Sequence, residues 1–120
     1  YSRESGLNVS VRLDSAKEIS EFAKAHWNLG MRSAVLVTNP VPKEESISKS
    51  EMDPIIAKAS AEAIKKGIHG QKLTPFLLSR ISELTDGKSL QTNLALLLNN
   101  ARLAAQIAGE MKTSKRVKVI

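Results

Sequence analysis

"LNVSVRLDSAKEISEFAKAHWNLGMRSAVLVTNPVP", residues 7–42, is the stretch on which the fold class turns. Leu7, Val9, Val11 and Leu13 alternate with Asn8, Ser10 and Arg12, the period of a half-buried strand whose successive side chains point to opposite faces. Ser15 and Glu18 then stand in capping-box order, with Asp14 as a second candidate cap. Ile19, Phe22, Ala23 and His26 follow at helical spacing until Gly30. Residues 34–37 are apolar on both faces, as in a buried parallel strand. The expectation is a β-α-β unit with a right-handed crossover, and with it an α/β fold.

Outward from this unit the pattern becomes helical. Ser48 and Glu51 open a helix bearing Ile55, Ile56, Ala59, Ala63 and Ile64, closed by Gly67. Thr74 before Pro75 reads as a cap with proline at the first helical position, and that helix runs to about Thr85. Asp86 and Gly87 turn the chain, and Ser89 is expected to cap a last helix ending near Met111. Two strands cannot make a stable parallel sheet, because both faces of each must be covered. The chain therefore calls for more strands than it contains. It also opens on Tyr1 without a methionine or a signal-peptide pattern, which suggests an excerpt or a processed chain.

At 120 residues, 42% hydrophobic and 25% charged, the composition is that of an ordinary soluble domain. The absence of cysteine excludes disulfides, thiolate metal sites and cysteine nucleophiles. The longest uninterrupted apolar run, residues 94–98, is far too short to span a membrane, so a cytoplasmic or organelle-matrix setting is expected. The net charge of +6 belongs largely to the end of the chain, where Lys112, Lys115, Arg116 and Lys118 crowd a stretch without acids. Removing these four from 18 leaves 14 basic residues against 12 acidic, or +2. With only one Trp, one Tyr and two Phe there is little to build a base-stacking platform, so a nucleic-acid-binding module is the weakest reading. Residues 1–111 read as one piece of a domain and residues 112–120 as a basic tail.

Three asparagines stand in the otherwise leucine-rich "SLQTNLALLLNN", residues 89–100. Asparagine is a mediocre helix former, so each calls for a reason. At 100° per residue, Asn93 and Asn100 fall within the apolar arc of Leu90, Leu94, Leu97, Leu98 and Ala101, while Asn99 joins Gln91, Arg102 and Gln106 on the polar side. An amide in an apolar arc either ties down a neighbouring loop or faces a ligand cavity, and periodicity leaves both open. Asn39 ends the second expected strand, at the edge where open α/β sheets bind ligands, or else forms an Asx turn into Pro40. His69 reads as an exposed loop residue, His26 and Trp27 as packing or surface groups, and Glu44 and Glu45 as solvated. No metal-ligand spacing and no nucleophile–base set stands out, so no catalytic residue and no metal ligand is assigned to this chain.

The segments "VSVRLDSAKEI" (9–19), "VLVTNPVP" (35–42), "KLTPFLLSRISELTDGKSLQTNLAL" (72–96) and "NNARLAAQIA" (99–108) resemble, in order and spacing, the C-terminal third of the pseudouridine-5′-phosphate glycosidase family, also called the indigoidine-synthase-A-like family. The resemblance implies a three-layer α/β/α fold of which this chain is a helix-rich C-terminal fragment. It also implies reversible cleavage of the C–C glycosidic bond of pseudouridine 5′-phosphate, giving uracil and ribose 5-phosphate. The implied machinery is a Schiff-base lysine, a glutamate and a divalent metal, usually manganese, held through an aspartate. All of these lie outside this chain. The family's active-site asparagine corresponds to Asn93, with Asn39 a further candidate for substrate binding and Asn100 a structural link. Implied partners are the remainder of its own chain and a homotrimer, without nucleic acid or membrane. The alternative is a non-catalytic remnant or interaction domain of the same fold.

Overall fold

The structure, a computed structural model, describes residues 1–113, so most of the basic tail, residues 114–120, lies outside the described residues. Among the described residues four α-helices carry the fold: α1 (Ala16–Asn28), α2 (Lys49–Lys65), α3 (Leu73–Leu84) and α4 (Lys88–Thr113), with short 3-10 turns at Lys43–Glu45 and Gly70–Lys72. Among the described residues there is no strand, which overturns the expected β-α-β unit. The physical reason is that a strand, unlike a helix, satisfies its backbone only through a neighbour. The segments read as strands have no ladder partner here, and their apolar side chains stand in solvent: Leu7 is 82% exposed, Val9 58% and Leu36 87%.

The helix punctuation is where local chemistry acts as expected. Ser15 caps α1 in a complete capping box, its hydroxyl accepting from the Glu18 N–H while the Glu18 carboxylate accepts from the Ser15 N–H at 3.0 Å. Ser48 caps α2 by accepting from the Glu51 N–H at 3.3 Å. At the other end of α2, Gly67 sits at φ +65° and donates to Ile64, while the Ile68 N–H reaches Ala63 at 2.9 Å. That pair of bonds is a Schellman closure, which needs the left-handed backbone that glycine supplies cheaply. α3 begins one residue before Thr74, with Lys72 at the cap position and no side-chain cap bond. Pro75 thus falls within the first turn, where its missing N–H would have no partner anyway. Nor does Ser89 cap α4: it lies inside the helix and donates its N–H to Thr85 Oγ1 at 3.1 Å.

The contacts divide the described residues into two compact units, residues 1–7 with 40–98, and residues 8–39 with the part of α4 from residue 99 onward. The first holds the main core, Ile47, Met52, Ala59 and Ile81, flanked by Tyr1, Ile55, Leu77 and Leu84. α2 and α3 pack on one another there. Arg80 of α3 clamps Glu62 of α2 with two hydrogen bonds, at 2.7 and 3.0 Å. In the second unit α1 buries Ile19, Ser20 and Ala23, and Lys24 Nζ donates to the Glu110 carbonyl of α4 at 3.0 Å.

Candidate functional site

Within the first unit, the start of α4 is held by two small polar residues. Ser89 and Thr92 are both buried, at 1% and 2% exposure. Thr92 Oγ1 donates to the Glu45 carbonyl at 2.8 Å, which locks the Lys43–Glu45 turn to the helix. Asn93, the next residue, is half-buried. Among the described residues its amide has no hydrogen-bond partner, leaving one acceptor and two donors uncommitted. The expected apolar arc faces outward instead of inward, with Leu90, Leu94, Leu97 and Leu98 all more than half exposed. The hydrogen bond from Thr92 to the Glu45 carbonyl fixes which side of the helix meets its unit, and a helical wheel does not register it.

In the second unit, Asn39 and Asn100 meet. Asn39 Nδ2 donates to Asn100 Oδ1 at 3.1 Å, fastening the segment before Pro40 to α4. Asn100 therefore does what a structural amide does, although it is exposed. Asn99, expected on the solvent face, is the half-buried one of the two. His26 and Trp27 converge on Ser33: Trp27 Nε1 donates to the Ser33 carbonyl at 3.3 Å, and His26 Nε2 lies 3.0 Å from Ser33 Oγ. This ties down the turn after α1, consistent with a packing role for both. His69 is exposed, as are Glu44 and Glu45.

One charged cluster escaped notice in the sequence. Glu62, Lys66, Phe76, Ser79, Arg80 and Glu83 line an open cleft of about 350 Å³ between α2 and α3. Arg80 bonds Glu62 and also Glu83, at 2.7 Å, and Lys66 Nζ lies 5.2 Å from the Phe76 ring centroid. The hydrogen bonds that Arg80 donates hold the Glu62 carboxyl below its usual range, and acceptance by Glu62 and then by Glu83 pushes the guanidinium pKa up. Glu62–Lys66 and Arg80–Glu83 were visible as i,i+4 and i,i+3 pairs, but only packing could bring the two helices' charges together. The cluster is self-neutralising, and it serves as a clamp. Among the described residues no three His, Asp or Glu side chains gather to hold a metal ion, so these residues by themselves do not fit the divalent metal that the resemblance implies.

Comparison with known proteins adds to this geometry. Residues 1–110 match the family described as "Indigoidine synthase A like protein". A pseudouridine-5′-phosphate glycosidase of Geobacillus kaustophilus is 52% identical over 111 residues, covering 92% of this chain and 37% of that protein. Another, of Petrotoga mobilis, is 49% identical over 110 residues, covering 92% of this chain and 36% of that protein. Among solved structures, the prealnumycin C-glycosynthase AlnA in complex with ribulose 5-phosphate matches with a TM-score of 0.78 and 26% identity, over 92% of this chain and 36% of that one. The chain thus spans about a third of the length of the relatives it matches.

Proposed function

Since the chain belongs to the indigoidine synthase A like family, we propose that it forms part of a pseudouridine-5′-phosphate glycosidase that reversibly cleaves the C–C glycosidic bond to give uracil and ribose 5-phosphate. The observation that carries this reading is the match of residues 1–110, with relatives of that name at 49–52% identity over 92% of the chain. The structural neighbour supports it chemically, since its name pairs a C-glycosidic product with a sugar phosphate.

In this reading Asn93 binds substrate. Its uncommitted amide offers both donor and acceptor, which is what the imide edge of uracil requires. Asn39 is a weaker candidate, because one of its donors is already spent on Asn100. The lysine, glutamate and metal-holding aspartate of the reaction, and the manganese itself, would come from residues that this chain does not contain. The homotrimer belongs to the same proposal, checked by the mass of the assembled enzyme in solution. No described helix is long and apolar enough to cross a membrane, and we place the enzyme in the cytoplasm or an organelle matrix.

The test is a chimera in which residues 1–110 replace the matched stretch of the Geobacillus kaustophilus relative. Release of uracil from pseudouridine 5′-phosphate is expected. A chimera that melts cooperatively yet releases none would overturn the reading and leave a non-catalytic remnant.

A further inference from the structure

Leu90, Leu94, Leu97 and Leu98 are 52%, 52%, 56% and 58% exposed. Their i, i+4, i+7, i+8 spacing puts them on one stripe of α4. The stripe is turned outward because the other side is the one held: Ser89 and Thr92 are buried there, and Thr92 Oγ1 donates to the Glu45 carbonyl. A contiguous leucine stripe left in water is unusual for a soluble protein and marks a surface that something covers.

We propose that this stripe is the docking surface for the polypeptide that completes the family fold, equivalent to the 63% of the Geobacillus kaustophilus relative left when the matched 37% is removed. The proposal rests on the reading of this chain as part of such an enzyme. Two observations select this occupant. The chain follows the path of the structural neighbour over 92% of its own length while accounting for only 36% of that protein, so most of such a fold lies beyond it. Residues 7–13 and 34–37, which carry strand patterning, also stand without ladder partners, Leu7 being 82% and Leu36 87% exposed, so what the chain calls for is more of the same fold and not only a cover for one helix face.

The chain has no cysteine, so single cysteines report on one position each. Leu94→Cys and, as a control on the exposed polar side of α4, Gln106→Cys are labelled with a soluble maleimide, first in the 120-residue chain alone and then in the chain co-expressed with the unmatched part of the Geobacillus kaustophilus relative. Co-purification is expected, with labelling at Leu94→Cys slowed about ten-fold or more and at Gln106→Cys by less than about two-fold, since thiol reactivity follows access. If the two polypeptides do not co-purify, the same labelling is done on the single-chain chimera. Unslowed labelling at Leu94→Cys in an assembly that releases uracil overturns the docking surface and leaves the glycosidase reading standing. Protection without uracil release supports the surface and counts against the glycosidase. Protection that rises with the concentration of the chain alone points to a second copy and overturns the proposal.

Discussion

The asparagines at 93 and 100 differ in what their amides already hold. Asn93 is half-buried and uncommitted, whereas Asn100 accepts from Asn39. In the chimera, Asn93→Ala is expected to cut turnover ten-fold or more, about 1.4 kcal/mol of transition-state stabilisation. Its melting temperature should hold or rise slightly, because alanine is the better helix former. Asn100→Ala should instead lower stability by about 1 kcal/mol, the worth of one neutral hydrogen bond, with little change in turnover. Steady-state rates and thermal melts on the two variants separate these outcomes, and loss of activity in Asn93→Ala only through unfolding would make that amide structural. Glu62 supplies a pH signature at the same scale. Its carboxyl is held below 4.5 by Arg80, so the ion pair contributes its full stability above that pH and loses it as pH falls through the lowered value. The melting-temperature gap between the parent and Glu62→Gln should accordingly be widest near neutrality and close as the solution is taken below pH 4.5.

The ends of the helices carry much of what local sequence can specify. Ser15→Ala removes the acceptor for the Glu18 N–H and should cost about 1 kcal/mol. Gly67→Ala, at φ +65°, forces a Cβ into the left-handed region although nothing lies within 4 Å to clash with it. The cost is then backbone strain alone, about 1 kcal/mol, and a melt showing no loss would mean that the closure of α2 had rearranged. At the start of α4 the sequence misleads. Ser89 has the residue type of a cap and lies in the preferred place, yet the acceptor there is Thr85, whose hydroxyl also donates back to the Ile81 carbonyl at 2.8 Å. The outward turn of the leucine stripe has the same origin. Both lie beyond the reach of a periodicity rule, the first settled locally by Thr85 and the second by the bond from Thr92 to the distant Glu45 carbonyl.

For the molecule as a whole, exposed apolar side chains dominate the expectation. Leu29 and Leu36 are 82% and 87% exposed, and the four leucines of α4 add to them. The chain expressed alone should bind a hydrophobic dye strongly and melt without a sharp transition, and a cooperative dye-free melt of the isolated monomer would contradict this. Removing residues 112–120 from the chimera extended to residue 120 should change turnover by less than about two-fold, since the family match ends at residue 110 and screened charges contribute little.

What the amino-acid order determined by itself was the helical framework. All four helices, the caps at Ser15 and Ser48 and the glycine closure of α2 follow from groups a few residues apart, which meet whatever the rest of the chain does. The family likeness was legible for the same reason, being carried by residue types in order, and with it the candidacy of Asn93. Tertiary structure alone decided the rest. Alternation at residues 7–13 marks only a willingness to be a strand, and among the described residues no neighbour turns that willingness into a ladder. The union of Asn39 with Asn100, the Glu62–Arg80 clamp and the outward leucines join residues far apart in the chain. Such contacts depend on packing energy and on which backbone groups need partners, quantities that no window of sequence contains.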